Sequence, residues 1–361
     1  MTFRRTAAAC VGAMALAVLA ACTSGAKPVA AQVSASTSDA PTPTPAPTET
    51  TATPSPLPSA STATAPPPRV PPERSLSGLP GTAHKPVIAI KIDDMPPAHP
   101  QTAVDGADIV YVEAVEGGAT RLMAIFQSHL PDVVGPVRSG RESDLEVLAA
   151  YGKVALVYSG AQAGVESLIR ASPQRAFSEG AAGFFRSYER HAPYNLYISP
   201  QKLLAAHPSL PDAHDIGFVF GDPLPGGKPA TFLSAAMSSY VTYSFAYDAS
   251  SQRWLASIGR RASVQSDGKP LWATNVLVQQ VTVTSSRFHD ILGLNTPRSH
   301  TVGSGAFWLA RPDGTVFTGT WTRDTASAPT RYVDSSGVPV TFAPGRTWVL
   351  LAPKGHGVTV R

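Results

Sequence analysis

Two arginines three residues apart, Arg138 and Arg141, stand in the stretch VGPVRSGRESDLEVL between a Gly-Pro turn and residues with helical spacing. Ser139 precedes Glu142 by three positions and Ser143 precedes Glu146 by three, so two overlapping capping boxes start a helix beside the arginines. A helix start presents unpaired N–H groups, and guanidiniums add fork-shaped donors, an arrangement suited to phosphate, sulfate or carboxylate. The same arginines can instead pair with Glu142, Asp144 or acids upstream. Those acids come in EAVEGGATR, which sets Glu113, Glu116 and Arg121 within nine positions. Paired carboxylates can exchange protons, hold a metal, or hold arginines. Asp93 and Asp94 end an apolar run, the strand end at which ligands gather in α/β sheets.

Other chemistry finds little support. Ser159 follows a strand but lacks the G-x-S-x-G spacing of a nucleophile elbow, and the nine histidines form no H-x-x-x-H pair. No G-x-G-x-x-G follows a strand and no P-loop lysine occurs, so neither a cofactor nor a metal is expected.

The elements that must hold these side chains can be read from the pattern. PVIAIKID, ADIVYVEAV and TRLMAIFQS are buried strands, the last two turned by Glu116-Gly117-Gly118-Ala119. A helix fits Glu142 to Ala150, KVALVYS is a further strand, and AGVESLIRAS an amphipathic helix, so residues 80–216 are expected to form a layered α/β domain. Residues 217–238 read as a connection with a small helix near Thr231 to Met237. From 239 to 361 the runs are short and β-branched, with a hairpin at Pro312-Asp313-Gly314, and predict a mostly antiparallel β domain. The expected class is α+β.

The ends place the chain. Arg4 and Arg5 precede an apolar run that is too short to span a bilayer, followed by Leu19-Ala20-Ala21-Cys22, the pattern of a bacterial lipoprotein signal over residues 1–21. Cys22 would be lipidated and would tie the chain to the outer face of the cell membrane. Residues 22–79, rich in Pro, Thr, Ser and Ala, read as a disordered tether. Cys10 leaves with the signal, so disulfides and thiolate chemistry are excluded from the folded part. The 29 basic and 25 acidic residues give +4, and loss of Arg4 and Arg5 leaves +2. That is too little for a general nucleic-acid footprint.

The stretch from KPVIAIKIDD through ADIVYVEAVEGGATR to GPVRSGR, followed by RHAPYNLYIS, NVLVQQ, GSGAFWLARPDGTVFTGTW and PGRTWVLLAP, resembles the DUF3048 family of lipoproteins. The resemblance implies an exported lipoprotein in two parts and names no ligand. Its signature positions here are Asp93, Glu113, Glu116, Gly117, Gly118, Arg121, Arg138, Ser139, Arg141, Arg190 and Asn195. Asp94, Tyr194 and Tyr158 depart from it, the tyrosines standing where relatives carry histidines, which weakens an acid–base reading. The resulting expectation is a non-catalytic protein that binds an anionic envelope fragment or polymer through Arg121, Arg138, Arg141 and Arg190, with Asn195. The alternatives are an envelope glycan hydrolase or transferase using Asp93, Glu113 or Glu116, and a scaffold presenting the β domain to an envelope enzyme, with an envelope protein as its partner.

Overall fold

The structure, a computed structural model, describes residues 75–290 and 292–361. The signal segment, Cys22 and the tether up to residue 74 lie outside the described residues. The end of the stretch expected to be tether belongs to the fold, because Leu76 and Ser77 are buried and the Leu76 N–H donates to Gln127 Oε1 at 2.8 Å.

The chain is largely β. Strands β1 (Ile88–Asp93), β2 (Ile109–Ala114) and β3 (Thr120–Phe126) are followed by helix α1 (Glu142–Leu148), β4 (Ala155–Val157), α2 (Ala163–Ala171) and β5 (Arg175–Phe177). A small ribbon of β6 (Phe184–Arg186) and β7 (Leu196–Ile198) leads into α3 (Pro200–Ala206). Then come β8 (Lys228–Pro229), β9 (Phe232–Ala236), β10 (Thr242–Asp248), β11 (Arg253–Ile258), β12 (Arg261–Ala262) and β13 (Trp272–Ala273). The long β14 (Asn275–His289) precedes β15 (Asn295–His300), β16 (Gly303–Ala310), β17 (Thr315–Arg323), β18 (Arg331–Val333), β19 (Thr347–Pro353) and β20 (Val358–Val360).

A twelve-stranded sheet runs β18-β17-β16-β14-β19-β2-β3-β1-β4-β5, with β15 and β8 paired at its flanks. It draws strands from both sides of the 217–238 connection, since β19 lies parallel to β2 on one side and to β14 on the other. The six residues of β1 and the seven of β3 are all buried, which is why both read as unbroken apolar runs rather than as alternating ones. Even-numbered positions such as Ile90, Val112 and Leu122 face a core shared with Tyr243, Phe245 and Trp254 of the second, six-stranded sheet. Odd-numbered positions such as Ala89, Tyr111 and Met123 face Val147 and Leu148 of α1 and Val165 and Ile169 of α2. Each fully buried Val, Leu or Ile contributes roughly 1.5–3 kcal/mol, enough for β1 to carry Lys91 and Asp93 on its inner face.

Residues 231–237 correct one expectation. The apolar run TFLSAAM has the length of a small helix, yet Phe232–Ala236 is a strand, because β10 and β20 flank it and supply ladder partners on both edges. Propensity yields there to pairing.

Candidate functional site

The charged residues gather at one end of the sheet by register. In the ladders Arg121 of β3 stands opposite Asp93 of β1 and opposite Glu113 of β2, so the three emerge on the face covered by α1 and α2. The turn between β2 and β3 carries Gly117 at φ 69° and Gly118 at φ 73°, backbone that glycine alone adopts freely, and this brings Glu116 round to the same end. The segment after β3 is pinned by buried Val134 and Val137. Arg138 N–H donates to the Lys91 carbonyl at 2.9 Å, and the Arg138 carbonyl accepts from Ser159 N–H at 2.9 Å. The Gly-Pro turn thereby lays Arg138 over the end of β1.

These residues line a cavity of about 690 Å³, walled among others by Glu116, Arg121, Arg138, Ser139, Arg141 and Arg186. Its ion pairs are uneven. Arg141 places Nη2 2.7 Å and Nε 3.2 Å from Glu116 Oε2, while Thr296 donates to Glu116 Oε1 at 2.7 Å. Burial pushes the Glu116 carboxyl up, but Arg141 and Thr296 more than offset it and hold its pKa below the usual value. Arg186 grips Glu179 with two bonds of 2.8 and 2.7 Å and donates to Asn195 Oδ1 at 2.7 Å.

Arg121 and Arg138 share a single carboxylate, Asp93, which is fully buried. Arg138 Nε lies 2.7 Å from Asp93 Oδ2 but out of line for a hydrogen bond, and Arg121 Nη2 stands 3.8 Å from Asp93 Oδ1. Among the described residues Arg121 is 5% exposed and its Nε has no acceptor. Burial and the charges of Arg141 and Arg138 press the Arg121 pKa down to about 10, against the pull of Asp93 and Glu116. The arrangement leaves guanidinium donors unspent on a cavity wall.

Glu113 goes elsewhere. Its Oε1 accepts from Lys91 Nζ, which also donates to Asp144 Oδ1 at 2.7 Å, and all three side chains are at most 3% exposed. Burial and the neighbouring Asp144 carboxylate raise Glu113 to about 7 despite Lys91, as expected where two carboxylates share one ammonium. Asp144 Oδ2 accepts from Arg141 N–H at 2.7 Å and caps α1, whereas the capping-box pattern assigns that end to Ser139 or Ser143. Lys91 is therefore a strut beneath the arginine segment. Among the described residues no group of three His, Cys, Asp or Glu side chains is placed to hold a metal.

The family model for the N-terminal domain of DUF3048, described as a protein of unknown function, matches residues 76–211, and that for the C-terminal domain matches residues 233–349. The chain belongs to the DUF3048 family. It is 26% identical over 296 residues to putative lipoprotein YerB of Bacillus subtilis strain 168, covering 75% of this chain and 85% of the relative. The crystal structure of the YerB protein from Bacillus subtilis superposes with a TM-score of 0.67 at 21% identity, over 81% of this chain and 99% of that one, a likeness of fold.

Two further DUF3048 signature residues play supporting parts here. Arg190 does not line the cavity. Its Nη1 and Nη2 donate to the carbonyls of Ala98 (2.7 Å) and Pro100 (2.5 Å), clamping the loop after β1. Asn195 reaches the cavity only through Arg186. Ser139 lines it, and its carbonyl accepts from Arg141 Nη1 at 3.3 Å. Of the departures from the DUF3048 pattern, Tyr194 lies on the wall with the Arg138 guanidinium 5.9 Å from its ring centre. Tyr158 donates to Glu166 at 3.1 Å and is pushed up to about 12 by burial and that carboxylate. Sequence reasoning misses Arg186 and Lys91. Arg186 sits on a three-residue ribbon strand with no periodic signal, and Lys91 is a lone cation inside an apolar run whose acidic partners Glu113 and Asp144 lie far off in sequence.

Proposed function

We propose that this protein is a lipid-anchored envelope lipoprotein whose arginine-lined cavity binds an anionic group of an envelope component. The membrane anchor rests on the export signal ending in Cys22 and on the name of the relative, putative lipoprotein YerB. One observation carries the ligand class: Arg121 and Arg138 face the cavity, share one buried carboxylate, and leave donors without acceptors. Two guanidiniums on one carboxylate leave a positive charge uncompensated, and a phosphate or carboxylate entering the cavity would neutralise it through the guanidinium N–H groups that line the wall. The acid–base alternative loses its support because no candidate carboxylate is free: Asp93 faces Arg138, Glu116 holds Arg141, and Glu113 holds Lys91.

The test is thermal unfolding of the full chain in phosphate, diphosphate and citrate, beside an Arg121→Met, Arg138→Met double variant. A ligand at 100 times its Kd adds about 2.7 kcal/mol of stability. A shift in the wild type that vanishes in the folded variant supports the anion site. Absence of a shift with every anion refutes it.

A further inference from the structure

A second cavity, of about 390 Å³, opens at the same end of the sheet. The pleat explains its position. Asp93 and Asp94 are consecutive at the end of β1, so one side chain goes to the arginine cavity and the other to the opposite face. Asp94 is spent there, accepting from Thr120, from Tyr243 at 2.6 Å and from Gln101 at 3.1 Å, with His99 at 3.2 Å. The remaining wall is largely apolar, formed by Pro96, Pro100, Tyr240, Val241, Ile258 and Val264, with one guanidinium, Arg261. Tyr240 is 85% exposed, an aromatic ring held out into solvent beside Gly118.

The two cavities share two wall residues, Met95 and Ala119. The β2–β3 turn divides them further, since Glu116 lines the first whereas Gly117 and Gly118 line the second. A cationic chamber with unspent donors and an apolar chamber thus meet over one methionine and one alanine. Neither chamber alone accounts for the other's chemistry.

We infer that the two form one bipartite site for an amphiphilic anion, a phosphate ester of an aliphatic alcohol, with its phosphate at Arg121 and Arg138 and its chain crossing Met95 and Ala119 into the apolar cavity. The inference rests on the anion reading above for its head group. Met95 suits the crossing, because an unbranched thioether side chain adapts its shape to a ligand. An exposed tyrosine at the far mouth extends the apolar surface available to the chain at little entropic cost.

The experiment is titration of the full chain with inorganic phosphate, then with ethyl, butyl, hexyl and octyl phosphate below their micellar concentrations, and with octanol alone. The affinity should rise by up to about fourfold for each methylene buried, beginning once the chain is long enough to pass Met95. Met95→Trp, which plugs the crossing, and Tyr240→Ser, at a position 85% exposed, should each flatten the rise of affinity with chain length. Arg121→Met should abolish the binding of every ester alike. Phosphate binding with no dependence on chain length overturns the bipartite site and leaves the anion site standing. Octanol binding as tightly as octyl phosphate, or a chain-length gain that survives Met95→Trp and Tyr240→Ser, overturns the linkage as well. If neither phosphate nor any ester binds, both readings fall together.

Discussion

Arg121→Met should make the protein more stable and, at the same time, unable to bind an anion. The substitution keeps an unbranched side chain as far as the Nε position and removes a guanidinium that lies 5% exposed without a hydrogen-bond acceptor at Nε. Its pKa falls from 12.5 to about 10, and each unit corresponds to 1.36 kcal/mol, so holding the charge at pH 7 costs the native state about 3 kcal/mol. Part of the gain is given back, because the variant no longer fills the wall as the guanidinium does and Asp93 keeps Arg138 as its remaining cation. A net gain of about 1–2 kcal/mol is expected. For chains of 150–250 residues, 1 kcal/mol moves Tm by roughly 2–4 °C. Urea unfolding at pH 7, followed at constant m, measures it directly. Repetition in phosphate should stabilise the wild type and leave the variant unmoved. A variant that unfolds more than 1 kcal/mol earlier than the wild type would show that Arg121 is a structural ion pair, and the argument from unspent donors would collapse with it. A site that is destabilising when empty is the usual mark of function held at the expense of stability.

Lys91→Met strands Glu113 and Asp144 in the interior without their shared cation and should cost about 3–5 kcal/mol in urea midpoint experiments, a loss that shrinks at pH 5 as Glu113, already raised to about 7, takes up a proton. The hydrogen bond and charge of Asp94 outweigh burial and raise the His99 pKa above 6.5, so that pair stabilises fully below pH 6.5 and loses its contribution as pH rises through the folded-state value. His99→Gln should therefore narrow the stability difference between pH 6 and pH 8.5, as read by denaturant titration at each pH. Gly319→Ala should destabilise by about 1–3 kcal/mol, because a Cβ there collides with the Val333 carbonyl oxygen where β17 meets β18.

Much of the frame is legible in the sequence because the strands nearest the site are covered on both faces. IAIKID and TRLMAIF carry no solvent face to dilute the apolar signal, and Gly117-Gly118 marks a turn that only glycine makes easily. Arg121, Arg138 and Arg141 stand out as charges at the ends of such elements. What the local pattern cannot contain is the partner. Arg190 and Arg186 are indistinguishable in sequence, yet one clamps two loop carbonyls and the other lines the cavity, a difference set by how the β6–β7 ribbon lies. Lys91 is recognisable only once Asp144, fifty-three positions later, is known to stand above it. The apolar cavity is invisible for the same reason: its walls come from the loop after β1, the β2–β3 turn and the segment around 258–264.

The place of β19 has a consequence for how the protein is made. It lies between β14 and β2, so the sheet that carries the cavity remains two separate pieces until residues 347–353 arrive. Contacts between residues 109–112 and 347–350 span almost the whole folded chain, and such pairings form late because the intervening loop must first be closed. A chain exported N-terminus first, as proposed above, therefore cannot complete its fold while its C-terminal part is still inside the channel. Synthesis and export must finish before folding does, and a chain that stops short of residue 347 would leave the edge of β2 unpaired and open to aggregation.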